Sequence, residues 1–120
     1  MDFNNLLKLI FGRIGKTRNN VTISNATETA ILAAGATGVY RDLYNLIISN
    51  TSATDVVVTI RDKAAGTARF VISVKAGDTR GFALPSQDAH KQNEAAQAWT
   101  AQSSAVVSNI EIACAAVERS

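Results

Sequence analysis

The chain has 120 residues, 47% of them apolar and 18% charged, with a net charge of +2. That is room for one domain with one core; it excludes a second domain and a disordered composition, and the charge is too small to mark the whole molecule as a nucleic-acid binder. The charge is unevenly placed: residues 1–20 hold Lys8, Arg13, Lys16 and Arg18 against Asp2, a balance of +3, while the remainder holds eight bases against nine acids.

From Asp2 to Ile14, the residues Phe3, Leu6, Leu7, Ile10, Phe11 and Ile14 recur at helical spacing, with Asn4, Asn5, Lys8 and Arg13 mostly opposite. This pattern predicts an amphipathic helix of about three to four turns, weakened by Gly12 and stopped at Gly15. The polar run Lys16-Thr17-Arg18-Asn19-Asn20 then reads as a linker, which divides the chain into a helical arm with its tether (1–20) and a folded domain (21–120). Lys8 interrupts the apolar stretch and no small-residue cleavage site follows, so a secretory signal is not expected. No run approaches the ~20 apolar residues of a membrane span.

After residue 20 the period changes from helical to two. Tyr44, Leu46 and Ile48 fall on one side of an extended chain, then Val56, Val58 and Ile60, then Phe70, Ile72 and Val74, leaving Thr59, Arg61, Arg69 and Lys75 outside. Eight strands are predicted, near 21–24, 28–34, 41–50, 55–61, 68–75, 78–84, 97–103 and 108–117. Turn residues separate them, at Gly35 and Gly38, Asn50 to Thr54, around Gly66, and at Ala76-Gly77-Asp78. The expected fold is an all-β antiparallel sandwich, jelly-roll-like, preceded by one helix; the long connection Pro85 to Glu94 is expected as a polar surface loop or a short helical turn.

No constellation in this pattern carries chemistry. His90 is the sole histidine, and its distances in sequence from Asp88 and Glu94 fit no zinc or calcium motif, so a solvated loop is the better reading and neither a metal nor a cofactor is expected. No serine stands in a nucleophile elbow, and Ala34-Gly35-Ala36-Thr37-Gly38 lacks the Gly-Lys-Ser/Thr ending of a phosphate loop. No enzyme activity is expected. Cys114, the one cysteine, alternates with Ile110, Ile112 and Ala116 as a small buried apolar residue does. Three Asn-x-Ser/Thr triplets, at Asn20, Asn25 and Asn50, read as turn sequences. Trp99, with Tyr40 and Tyr44, suggests a sugar-stacking surface, but Trp99 alternates with Ala101 and Ser103, which favours core packing.

The run from Gly38 through Tyr40-Arg41-Asp42-Leu43-Tyr44 and Ile48-Ser49-Asn50-Thr51-Ser52 to Thr54, followed by Thr59-Ile60-Arg61-Asp62, Gly66-Thr67-Ala68-Arg69-Phe70 and Ala98-Trp99-Thr100-Ala101, resembles small β-sandwich proteins encoded among tailed-bacteriophage structural genes. The likeness spans roughly residues 30–117. It implies a virion protein, a decoration or cement protein on the outer capsid surface that holds neighbouring major capsid subunits together, made in the host cytoplasm. Read with it, the arm residues Phe3, Leu6, Leu7, Ile10, Phe11 and Ile14, with Lys8, Arg13, Lys16 and Arg18, are the expected partner-binding set. The expected partners are the major capsid protein and further copies of the chain, as a trimer or dimer, with no direct nucleic-acid contact. A glycan-binding virion or surface module and a peripheral membrane protein using the arm are the alternatives.

Overall fold

The computed structural model describes residues 16–107 and 109–120. The predicted helix over 2–14 therefore lies outside the described residues. Among the described residues eight strands run in chain order: β1 Lys16–Ile23, β2 Thr29–Leu32, β3 Tyr40–Asn50, β4 Val56–Arg61, β5 Ala68–Val74, β6 Thr79–Ala83, β7 Trp99–Ser103 and β8 Ile110–Arg119. They form two four-stranded sheets, ordered β1-β8-β3-β6 and β2-β7-β4-β5, and every pairing is antiparallel. All eight predicted strands are present.

Period two explains the core. Ile110, Ile112, Cys114 and Ala116 turn inward from β8, Leu46 and Ile48 from β3, and Val56, Val58 and Ile60 from β4, all nearly inaccessible to solvent. Each fully buried Leu, Ile or Val contributes about 1.5–3 kcal/mol of transfer free energy. Trp99 is wholly buried, as its alternation implies, and its indole Nε1–H donates to the Arg41 carbonyl at 2.7 Å, so no polar atom of the ring is stranded. Asn50 anchors the β3–β4 turn: its Nδ2 donates to the carbonyls of Thr54 and Val74, and its Oδ1 accepts from the Ser52 amide and hydroxyl.

Two expectations need correction. Lys16–Asn20, read as a linker, is the first half of β1 and pairs residue for residue with Val117 back to Ala113 of β8. A polar edge strand needs no apolar set of its own when its backbone completes a neighbour's ladder, and here Asn19 also donates Nδ2 to the Ile31 carbonyl. Second, Tyr44 does not share the inward face with Leu46 and Ile48. Leu43 opposes Ala116 and Asn45 opposes Ala115, so Tyr44 is the extra residue of a β-bulge that changes the phase of the strand.

The connection from β6 to β7 forms a short 3-10 turn at Ser86–Asp88 and is then tied down rather than solvated. His90 exchanges both backbone hydrogen bonds with Leu43 (2.9 and 2.7 Å). Gln92, 2% exposed, donates from Nε2 to the carbonyls of Asp62 and Gln97, accepts at Oε1 from the Arg41 backbone N–H, and donates its own backbone N–H to the Asp42 carboxylate. The aromatic pair Phe70 of β5 and Phe82 of β6, with centroids 5.4 Å apart, closes the gap between the two sheets, and the His90 ring lies edge-on to both.

Candidate interaction surface

The outer face of the β1-β8-β3-β6 sheet carries a broad depression whose walls are polar. Its shape follows from register. Across the sheet run the rows Arg18–Ala115–Asn45, Asn20–Ala113–Ile47 and Thr22–Glu111–Ser49, so β8 supplies alanines where its neighbours supply longer side chains. A groove of about 700 Å³ results, with Ala113 and Ala115 as floor, Arg18 and Asn20 on one wall, and Tyr44 and Asn45 on the other. A smaller stretch of about 240 Å³ continues it past Ile47 and Ser49 to Glu111.

Electrostatics distinguish the two ends. Lys16 and Arg18 both project from the outer side of β1, and Lys16 reaches across β8 to set Nζ 5.9 Å from the Tyr44 ring centre, a cation–π contact. At the other end the Glu111 carboxylate accepts from the Thr22 hydroxyl at 2.7 Å. Arg18 stands apart from the other described arginines, each of which faces an acid: Arg41 with Glu118, Arg61 with Glu28, Arg69 with Asp62, Arg80 with Asp78 and Arg119 with Asp42. Among the described residues it has no carboxylate and no hydrogen-bond partner. Asn45 Oδ1, opposite it, is buried and accepts nothing.

Of the predicted partner-binding set, Lys16 and Arg18 lie together on β1; Arg18 lines this groove and Lys16 contacts the Tyr44 ring of its opposite wall. Phe3, Leu6, Leu7, Lys8, Ile10, Phe11, Arg13 and Ile14 lie outside the described residues. The sequence pattern raises Tyr44 as a stacking residue but favours the core for it, and it does not point to Asn45 or the floor alanines as parts of a site. The alternation of Ala113 and Ala115 between Ile112, Cys114 and Ala116 was a visible signal of a bare outer stripe, but which side chains flank it depends on strands about seventy to ninety-five residues away in the chain.

The remaining polar candidates have structural employment. His90 sits in its aromatic cage, where burial and the nearby Arg69 cation hold its pKa below the ordinary imidazole value. Glu94 pairs with Lys63 at 2.9 Å, and among the described residues no group of three metal-ligating side chains converges. Asp42, fully buried, accepts from Arg119 Nε at 2.9 Å and from the Gln92 amide, and this contact raises the already high Arg119 pKa. Cys114 lies beneath the groove with its thiol donating to the Ile31 carbonyl, and burial lifts its pKa to about 11, which leaves it a thiol at neutral pH.

The chain matches no protein-family model, and a search of curated proteins found no match. Among solved structures it is similar to a chain of Bacillus endospore appendages, described as a novel family of disulfide-linked pili, at 16% identity over 88% of each chain with a TM-score of 0.52. A chain of the extra small virus particle of the giant freshwater prawn Macrobrachium rosenbergii aligns at 13% identity over 89% of this chain and 81% of that one, with a TM-score of 0.35. The first likeness is one of fold alone, and the second is too distant to build on.

Proposed function

We propose that this chain is a structural protein of a virion, attached to the outer surface of a phage capsid, where it cements neighbouring major capsid subunits. The observation that carries the reading is the strand order. We take β1-β8-β3-β6 over β2-β7-β4-β5 as a jelly roll, an architecture used for capsid and lectin domains. In that order β1 is an edge strand, which puts Lys16 and Arg18, the described members of the partner-binding set, at the rim of the sheet. The apolar stripe Phe3, Leu6, Leu7, Ile10, Phe11 and Ile14 suits a groove on a neighbouring capsid subunit, and Lys8, Arg13, Lys16 and Arg18 suit its acidic rim. On a symmetric lattice, many modest contacts of this kind add through avidity.

The role is adhesive and not catalytic. Asp42, Asp62, Arg69 and Arg119, the buried and half-buried charges with most chemical potential, are consumed in fastening the β6–β7 connection. A disulfide-linked fibre, the assembly named for the Bacillus appendages, suits this chain poorly because its single cysteine faces the core. The test is co-sedimentation with capsids of the wild type and of a Leu6→Ser/Ile10→Ser/Ile14→Ser variant, beside thermal melts of the free proteins. Loss of capsid binding with an unchanged melt is expected. Undiminished binding by the variant refutes the arm as anchor, and absence of wild-type binding refutes the cement role.

A further inference from the structure

We propose that the groove over β8 binds an acidic saccharide, with a terminal sugar carboxylate on Arg18 and sugar hydroxyls on Asn20 and Asn45. Arg18 is a planar donor fork with no acid facing it among the described residues, although each of the five other described arginines has one. A carboxylate is the group that such a fork holds in bidentate fashion. Directly across Ala115, Asn45 Oδ1 is a buried acceptor without a donor. Buried acceptors are nearly always satisfied, and rotation of the Asn45 side chain, which lines the groove, would bring this oxygen to the surface where a ligand hydroxyl supplies the missing proton. The bulge that turns Tyr44 outward puts an aromatic body on the same wall, against which the C–H face of a sugar ring can rest.

Shape and charge narrow the ligand further. The walls belong to β1 and β3, which straddle β8 roughly 9–10 Å apart, and the floor from Ala115 to Glu111 is roughly 13 Å long, enough for a short oligosaccharide lying along the strand. Because Glu111 marks the far end, a second carboxylate there would be repelled. A single acidic unit at the Arg18 end, followed by neutral sugars, fits better than a uniformly acidic chain. An extended acidic peptide fits less well, since β8 is paired on both sides and offers no free backbone edge for strand addition.

The full chain should be titrated calorimetrically with a neutral disaccharide carrying one terminal glucuronate, with trigalacturonate, with an uncharged trisaccharide and with a tetraglutamate peptide. Wild-type NMR spectra would follow the Asn20 and Asn45 side-chain amides. The terminal-glucuronate ligand should bind tightest, shift both amides, and lose at least tenfold in affinity in Arg18→Gln but not in Lys75→Gln, an exposed lysine beyond β5. Failure of that ligand to bind at millimolar concentration, equal binding by Arg18→Gln, or equal or tighter binding of tetraglutamate would each overturn the proposal. None of these readouts involves a capsid, so the outcome is independent of whether the cement role holds.

Discussion

His90 shows how one side chain can set a pH limit on the fold. Its ring centre lies 4.7 Å from that of Phe70 and 4.9 Å from that of Phe82, and protonation there would put a cation into an apolar crevice beside Arg69. Because the folded-state pKa is depressed, the folded protein favours the neutral ring: its contribution is complete above the unfolded value of about 6.5 and disappears as pH falls through the lower folded value. The melting temperature of the wild type should therefore drop between pH 7.5 and pH 5.5 by more than that of His90→Phe, which keeps the aromatic contacts and removes the proton site. Equal drops in parallel thermal melts would show that His90 does not govern this window.

At the scale of elements, the β3–β6 pairing is the most sequence-sensitive junction. Gly81 opposes Ile47 with φ of +154°, and a Cβ there would lie 1.8 Å from the Leu46 carbonyl oxygen, well inside contact distance. The backbones of β3 and β6 can come this close only because position 81 lacks a side chain. Gly81→Ala must push β6 away from β3 and should cost about 2–4 kcal/mol in chemical denaturation, at the upper end of single-substitution effects. By contrast, Gly77→Ala, whose Cβ would meet nothing within 4 Å, should lose only the smaller cost of its left-handed φ of +76°. A difference of under about 1 kcal/mol between the two variants would mean that β6 is free to shift. The same junction ends where Leu84 donates its amide to Tyr44 at 2.8 Å, so displacement of β6 would also loosen one wall of the groove.

For the whole molecule, the second sheet bears on assembly. Val57 (37% exposed) and Val71 (64%) lie on its outer face as diagonal neighbours, and β5 is an edge strand without proline, with its one internal charge, Arg69, turned to Asp62. An unguarded apolar edge of this kind is a template for pairing with another copy. Light scattering should give a mass of two or three copies, with Val71→Lys shifting the protein toward one. A single-copy mass for the wild type at high concentration would rule out self-association through this edge.

Much of this architecture was legible in the chain, because the inward set of a strand is a local property: the alternations at Val56-Val58-Ile60, Phe70-Ile72-Val74 and Ile110-Ile112-Cys114 identify core residues without knowledge of any partner strand, and the burial of Trp99 and Cys114 follows from the same parity. What lies on the other side of a strand is decided elsewhere. Lys16–Asn20 is a strand only because β8 lies beside it, and Tyr44 faces outward only because β3 must accommodate an extra residue against β8. Gln92 is buried only because the groups it bonds, on Arg41, Asp42, Asp62 and Gln97, converge from distant segments. The groove likewise joins Arg18, Asn45 and Ala115, brought into one row by register. Parity is written into consecutive residues, whereas register is fixed by the mutual fit of strands far apart in sequence, and the polar surface of this protein depends on register.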